Sequence, residues 1–266
     1  MGNLRRHARL LGLYFTQYAK ARLEYRADFF SAVVASFLGT AASFAFLLIV
    51  FSRVSALRDW KFEEMVFLYG FSLIPLGIFN TLSWNLWMFP DRYLIEGRFD
   101  RVLLRPVSSI FQVLFETFRL ESLESIATGI VAVVWSSQRL GIRFGALDVL
   151  LFVVWAISGG AIYLSIFIGL TATSFWIEDR IGISPPVFNL MQFGRYPLTI
   201  YDAWVRFALS FVIPFAFASF YPTARFLHRP EFLPYFWAVP AVAAVSLSIA
   251  LSLWKNGVAR YHSTGS

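Results

Sequence analysis

Six stretches of this chain are apolar for long enough to cross a bilayer, and that feature decides what it can fold into. About 20 mainly apolar residues cover roughly 30 Å of hydrocarbon. Segments at about 29–51, 65–88, 120–137, 149–177, 203–221 and 235–254 reach that length or come close to it. Their composition predicts transmembrane helices, and Ser, Thr and Gly within AVVASFLGTAASFAFLLIV and ISGGAIYLSIFIGLTATSF suit close helix contact in lipid. The third segment is the least apolar, being short and containing Glu124, and Pro214 should kink the fifth. A soluble domain carries about 25% charged residues; this chain carries 15%, with a mean hydropathy of +0.63. It contains no Ser/Gly-rich linker and no internal repeat, so residues 1–266 read as one all-α, polytopic domain.

Lys and Arg in the connections set the orientation. With the N-terminus inside, the inside segments hold 16 of the 23 Lys and Arg residues and the outside segments 7, which predicts both termini in the cytoplasm. The net charge of +7 is then a topology and lipid-headgroup signal, and nucleic acid is not an expected partner. With no cysteine there is no disulfide, thiolate metal site or cysteine nucleophile. The first 27 residues are too charged for a cleavable signal peptide, so the first span is expected to direct insertion.

Residues 1–28 form a second informative stretch. At 100° per residue, Leu4, Ala8, Leu11, Phe15 and Ala19 make one stripe, while Arg6, Arg9, Thr16, Gln17, Lys20 and Glu24 gather opposite. This predicts a helix lying in the headgroup plane, with Arg6, Arg9 and Lys20 at the lipid surface. It would serve as a simple anchor or also touch a partner.

Charge concentrates again between the second and third spans, in EGRFDRVLLRP at residues 96–106. Gly97 predicts a turn, and a helix starting near Arg98 or Asp100 would bring Arg98, Arg101 and Arg105 within about 60° of one another. Phe99 and Leu103 would form an adjacent i, i+4 apolar pair. So short a helix needs something to pack on. A solvated loop obeying the positive-inside rule would explain the charge, but not the ordered spacing of Gly, Asp, Leu, Leu, Arg and Pro.

EGRFDRVLLRPVSSIFQV resembles the G-x-[LF]-D-x-x-L-x-RP segment of ABC-2-type transporter permeases, in a bacterial branch of six-span subunits of about this chain's length. FGRYPLTIYDAWVRFALSFVIPFAFASFYPTARFL is similar to that branch's R-Y-P…P…Y-P pattern, carried here by Arg195, Tyr196, Pro197, Pro214, Tyr221 and Pro222. The resemblance extends over nearly the whole chain. It implies a multi-pass protein of the bacterial plasma (inner) membrane that forms the permease subunit of an ATP-driven transporter, an exporter of hydrophobic or amphipathic cargo. It also implies a second permease, identical or homologous, and two copies of an ABC ATPase. Residues 96–106 would be the coupling helix, with Arg98, Asp100, Arg101 and Arg105 meeting polar groups of the ATPase. Phe99, Leu103 and Leu104 would supply the apolar contact, and the N-terminal helix would touch the ATPase too.

The sequence contains no G-x-x-x-x-G-K-[ST], so this subunit is expected to bind no ATP or Mg itself and to be no enzyme. His7, His228 and His262 are too dispersed for a metal cluster, and no H-E-x-x-H or G-x-S-x-G occurs. Glu116 and Arg119, at i, i+3, are expected to pair, as are Asp202 and Arg206 at a cytoplasmic entrance to the fifth span. Glu124, the deepest carboxylate of the third span, is either structural or part of a substrate path. Trp84, Trp87, Trp237 and Trp254 fit an interfacial belt. A passive pore or a membrane scaffold that binds a cytoplasmic protein is the competing function class, distinguished by whether the 96–106 element engages an ATPase.

Overall fold

The structure, a computed structural model, describes residues 26–177 and 184–262 together with Leu11, Gly12, Tyr14, Thr16 and Lys20. Two helices of similar apolarity open the fold and play opposite parts. α1 (Arg26–Phe51) buries only Thr40 and Leu47 and presents Phe30, Phe37, Leu38, Phe46 and Ile49 outward, as a helix bathed in lipid does. α2 (Phe62–Leu82) is buried almost continuously from Met65 to Phe79 and forms the axis of the bundle. A single turn at Trp84–Trp87 and a π-helical stretch at Phe89–Ile95 lead to α3 (Arg98–Leu103) and α4 (Ser109–Phe115).

α5 (Leu123–Leu140) packs along α2, and α6 (Ala146–Thr173) lies on the opposite side of α2. The α2–α5 contact is backbone to backbone. A Cβ on Gly129 would stand 2.5 Å from the Gly70 carbonyl oxygen, and one on Gly70 would stand 2.7 Å from the Ala132 Cβ. Glycine is required at that contact because the helices touch where a side chain would begin. After α7 (Ser184–Met191) and a 3₁₀ turn come α8 (Ala203–Val212) and α9 (Phe215–Thr223), then α10 (Leu233–Arg260). α10 runs along α6, where the Trp155 indole donates to the Phe236 carbonyl at 2.6 Å.

Among the described residues four helices, α1, α2, α6 and α10, are long and apolar enough to cross a membrane, and the number becomes five if α8 and α9 form one span. The six-span expectation is therefore met in part. α5, on the expected third segment, has only 18 residues and carries Glu124 and Arg139 near its ends.

The fifth segment differs more. α8 and α9 are bent by 71° about Pro214, and their contacts make them a hairpin rather than a kinked span. Phe215 at the bend packs on Tyr163, midway along α6, whereas Ser210 of α8 and Tyr221 of α9 face each other in a 2.9 Å hydrogen bond. The chain crosses the bundle from one end to the other earlier, within residues 184–200. Phe188 of α7 touches Trp87, while Thr199 accepts a 2.8 Å hydrogen bond from the Trp60 indole and its carbonyl accepts another from Arg58. Hydropathy overlooks such a crossing because it combines one short helix with 3₁₀ turns and contains Asn189, Gln192 and Arg195.

Residues 198–206 thus lie at the α1–α2 loop end of the bundle, opposite α3, and not at the end assigned to them from charge counting. Removing Arg195 and Arg206 from the inside total lowers it from 16 to 14 of 23, and the positive bias persists. Because the chain has no native cysteine, single cysteines report this directly. Thr199→Cys should react with an impermeant maleimide from the same membrane face as Ser55→Cys, and Leu104→Cys only from the opposite face. Labelling of Thr199→Cys together with Leu104→Cys would contradict the arrangement.

Candidate functional site

α3 has six residues, too few to hold a helix alone, and its position is fixed by what it buries. Gly97 enters it with φ of 68°, a left-handed conformation that glycine adopts without strain. Phe99, fully buried, lies among Phe89 (5.5 Å between ring centroids), Phe175 (5.4 Å), Trp254 (6.3 Å) and Tyr261 (5.0 Å). Val102 is buried beside it. The Gln112 amide of α4 donates to the carbonyls of Val102 and Val107, both at 3.0 Å, clamping the loop that follows α3. α4 is held in turn by the Trp254 indole, which donates to Ser109 at 3.0 Å.

Two titratable groups stiffen this end. The Tyr93 hydroxyl donates to the Glu116 carboxylate, and burial together with that negative charge pushes the phenol well above its ordinary range. Tyr261 lies beside Asp100, and burial again raises its phenol, with the Asp100 carboxylate adding to the shift. Both phenols therefore stay protonated throughout the physiological pH range, and Tyr93 keeps its donor role toward Glu116.

The outward face of the element consists of Arg98, Arg101, Leu103, Leu104 and Arg105, with Leu104 85% exposed. Arg98 is tethered to Glu96 at 2.8 Å. The expected outward pair of Phe99 and Leu103 does not form. Phe99 turns into its own bundle, and Leu103 and Leu104 supply the exposed apolar surface. Arg105 lies just beyond the helix end and is exposed alongside Arg101. One aromatic cluster therefore joins this element to Phe175, just past α6, and to Trp254 of α10.

Glu124, the candidate for a substrate path, binds α1 to α5. It accepts hydrogen bonds from Ser36 (2.8 Å), Thr128 (2.8 Å) and Ser125 (3.3 Å). Beside it is a cavity of about 590 Å³ whose lining includes Ser36, Asn80, Ser83, Arg119 and Glu121. Arg119 pairs with Glu121 at 3.0 Å and lies over the Trp84 ring, whereas Glu116 is engaged by Tyr93; the expected Glu116–Arg119 pair is replaced. Asp202 and Arg206 likewise form no ion pair among the described residues, both being exposed at the start of α8. Of the interfacial-helix residues, Lys20 is helical and exposed, and Arg6 and Arg9 lie outside the described residues.

At the far end, Arg229 reaches Glu64 (3.1 Å) and the Asp59 carbonyl (2.8 Å) and stacks on Trp60, and Arg225 pairs with Asp148 at 2.9 Å. These contacts tie the α1–α2 and α9–α10 loops into one cap. The Gln112 clamp, the Tyr93–Glu116 bond and the burial of Arg195 all escaped sequence reasoning. The first two join residues with no periodic relation, and the signal for the third was an arginine in a stretch otherwise rich in apolar and aromatic residues.

A family model described as "ABC-2 family transporter protein" matches residues 37–265. No curated protein and no solved structure matches the chain.

Proposed function

The chain belongs to the ABC-2 family of transporter proteins, whose members are membrane subunits that generally work with a separate ABC ATPase, and from that premise we propose that it couples to its ATPase through residues 96–106. The observation that carries this reading is the two-sided character of α3. One side is locked by Phe99 to the ends of α6 and α10, and the other presents Arg98, Arg101, Leu104 and Arg105 without covering structure. A helix this short is a poor lever unless it is rigidly seated, and this one is. Exposed basic side chains around an exposed leucine suit docking onto an acidic or polar rim with an apolar centre.

In the proposed cycle, two ATPase subunits dimerise on ATP and pull on α3, and the aromatic cluster transfers the movement to α6 and α10. A second permease, identical or homologous, completes the pathway. Both chain termini face the cytoplasm, on the side of α3, of the start of α1 at Arg26 and of the end of α10 at Arg260, and the cargo is hydrophobic or amphipathic and moves outward. The positive bias toward the α3 end supports that orientation.

The test is charge reversal. Arg101→Glu combined with Arg105→Glu should lower recovery of the ATPase with the tagged chain by about tenfold, a loss of about 1.4 kcal/mol. Membrane insertion and thermal stability should be unchanged, because neither side chain packs in the bundle. Undiminished ATPase recovery from a triple reversal that also includes Arg98→Glu would overturn the proposal.

A further inference from the structure

Arg195 is buried in the bundle without an anion among the described residues. It is 7% exposed, its Nε has no hydrogen-bond partner, and among the described residues no carboxylate lies at ion-pairing distance. A guanidinium keeps its proton in proteins, so the cost of burying this charge cannot be relieved by neutralisation. Ionisable groups at membrane depth otherwise pair with one another or mark a path for something charged.

The surroundings supply a second orphan. Gly194, next to Arg195, meets Phe215 and Ser219, and the Tyr163 ring packs on Phe215 at 5.8 Å. Tyr163, on α6, is fully buried and its hydroxyl also lacks a hydrogen-bond partner. The neighbouring Ser219 hydroxyl is directed at the Gly194 and Phe215 carbonyls. Two donors, a cationic fork and a phenol, therefore stand unused at the place where the crossing breaks from a 3₁₀ turn into extended backbone at Tyr196. The α8–α9 hairpin, itself broken at Pro214, packs over this point through Phe215 and Ser219.

We propose that Arg195, assisted by Tyr163, is a binding site for the oxyanion headgroup, phosphate or carboxylate, of an amphiphilic molecule. The guanidinium fork matches two oxygens of such a group, and the phenol adds a third hydrogen bond. The wall is apolar and aromatic, formed by Phe215 and the Tyr69–Tyr196 pair, and the outer face of the hairpin exposes Phe207, Phe211 and Val212. A molecule arriving from lipid would thus keep its tail in apolar surroundings while its headgroup reaches Arg195. That the bound amphiphile is cargo rests on the transport reading above; the binding itself does not.

The full chain, purified in a neutral detergent without any ATPase, is titrated with oleate, with dioleoyl phosphatidate and with uncharged dioleoylglycerol, and thermal unfolding is followed. One or both anionic probes should raise Tm saturably, the responsive one identifying carboxylate or phosphate as the preferred group, and dioleoylglycerol should not. Arg195→Met should weaken the response by about tenfold or more, Arg195→Lys by less because charge survives without the fork, and Tyr163→Phe by the least. Arg195→Met should also raise the Tm of the unliganded chain, because it removes an uncompensated charge from the interior. Equal response to dioleoylglycerol, an unaltered anion response in Arg195→Met, or a lowered unliganded Tm in that variant would overturn the proposal. Since no ATPase takes part, failure here leaves the permease reading standing, and loss of ATPase association leaves this one standing.

Discussion

Gly129→Leu will leave almost no folded protein in the membrane. The first carbon of the new side chain would stand 2.5 Å from the Gly70 carbonyl oxygen, 3.0 Å from Ile74 Cγ1 and 3.1 Å from the Leu73 Cβ. A flexible side chain could move away, but two of these obstacles are backbone or Cβ atoms of α2, the most buried helix of the fold. Overpacking a tight core costs about 1–3 kcal/mol where neighbours can adjust, and more where a helix must shift. Separating α2 from α5 would also undo the packing of Val133 and Ala132. Against a total stability of about 5–15 kcal/mol, the loss is severe. Gly39→Leu is the control, since a Cβ there meets nothing within 4 Å on the exposed face of α1. Monodisperse protein after detergent extraction should be abundant for Gly39→Leu and nearly absent for Gly129→Leu; equal yields would show that the helices do not approach as described.

The second large effect is functional. Phe99→Ala should abolish transmission of the ATP-driven movement while the ATPase remains attached. Truncating a buried phenylalanine costs about 3–5 kcal/mol. Here the loss falls on the aromatic contacts of α3 with Phe89, Phe175 and Trp254, while Val102 and the Gln112 clamp still hold the helix to α4. Arg101, Leu104 and Arg105 stay available for docking. The readout needs no knowledge of the cargo: hydrogen exchange of residues 170–177 and 250–261 in the assembled complex, with and without ATP. An ATP-dependent change is expected in the wild type and in Phe99→Leu, and not in Phe99→Ala. A full change in Phe99→Ala would show that the aromatic cluster is not the route.

Much of this architecture was legible in the sequence, and the illegible parts have physical causes. Segments at about 29–51, 149–177 and 235–254 correspond to Arg26–Phe51, Ala146–Thr173 and Leu233–Arg260, because a long apolar helix announces itself by composition alone. The second segment ran past Leu82 into the Trp84–Trp87 turn, since hydropathy does not register a break between two apolar helices. Residues 184–200 escaped notice for the reverse reason: Asn189, Gln192 and Arg195 interrupt the apolar pattern, although Arg195 itself is buried among neighbouring elements.

At the candidate site, periodicity located α3 and its basic edge and misread its apolar side. Spacing shows that Phe99 and Leu103 share a face, not whether that face meets a partner or the chain itself. Only the aromatic residues gathered from positions 89, 175, 254 and 261 decide that Phe99 points inward, and they are far apart in sequence. Arg195 stood in a recognisable R-Y-P motif, but its isolation depends on the absence, among the described residues, of a carboxylate on the elements packed around it, which no local pattern encodes.

The central claim, that this chain is the membrane half of an ATP-driven machine, is tested most directly by affinity purification of the tagged chain from native membranes in mild detergent, with mass spectrometry of what accompanies it. The account predicts a P-loop ATPase, together with a second permease copy or homologue. Recovery of the chain alone, or with a protein that is not an ATPase, under conditions that keep a known ABC complex intact, would contradict it.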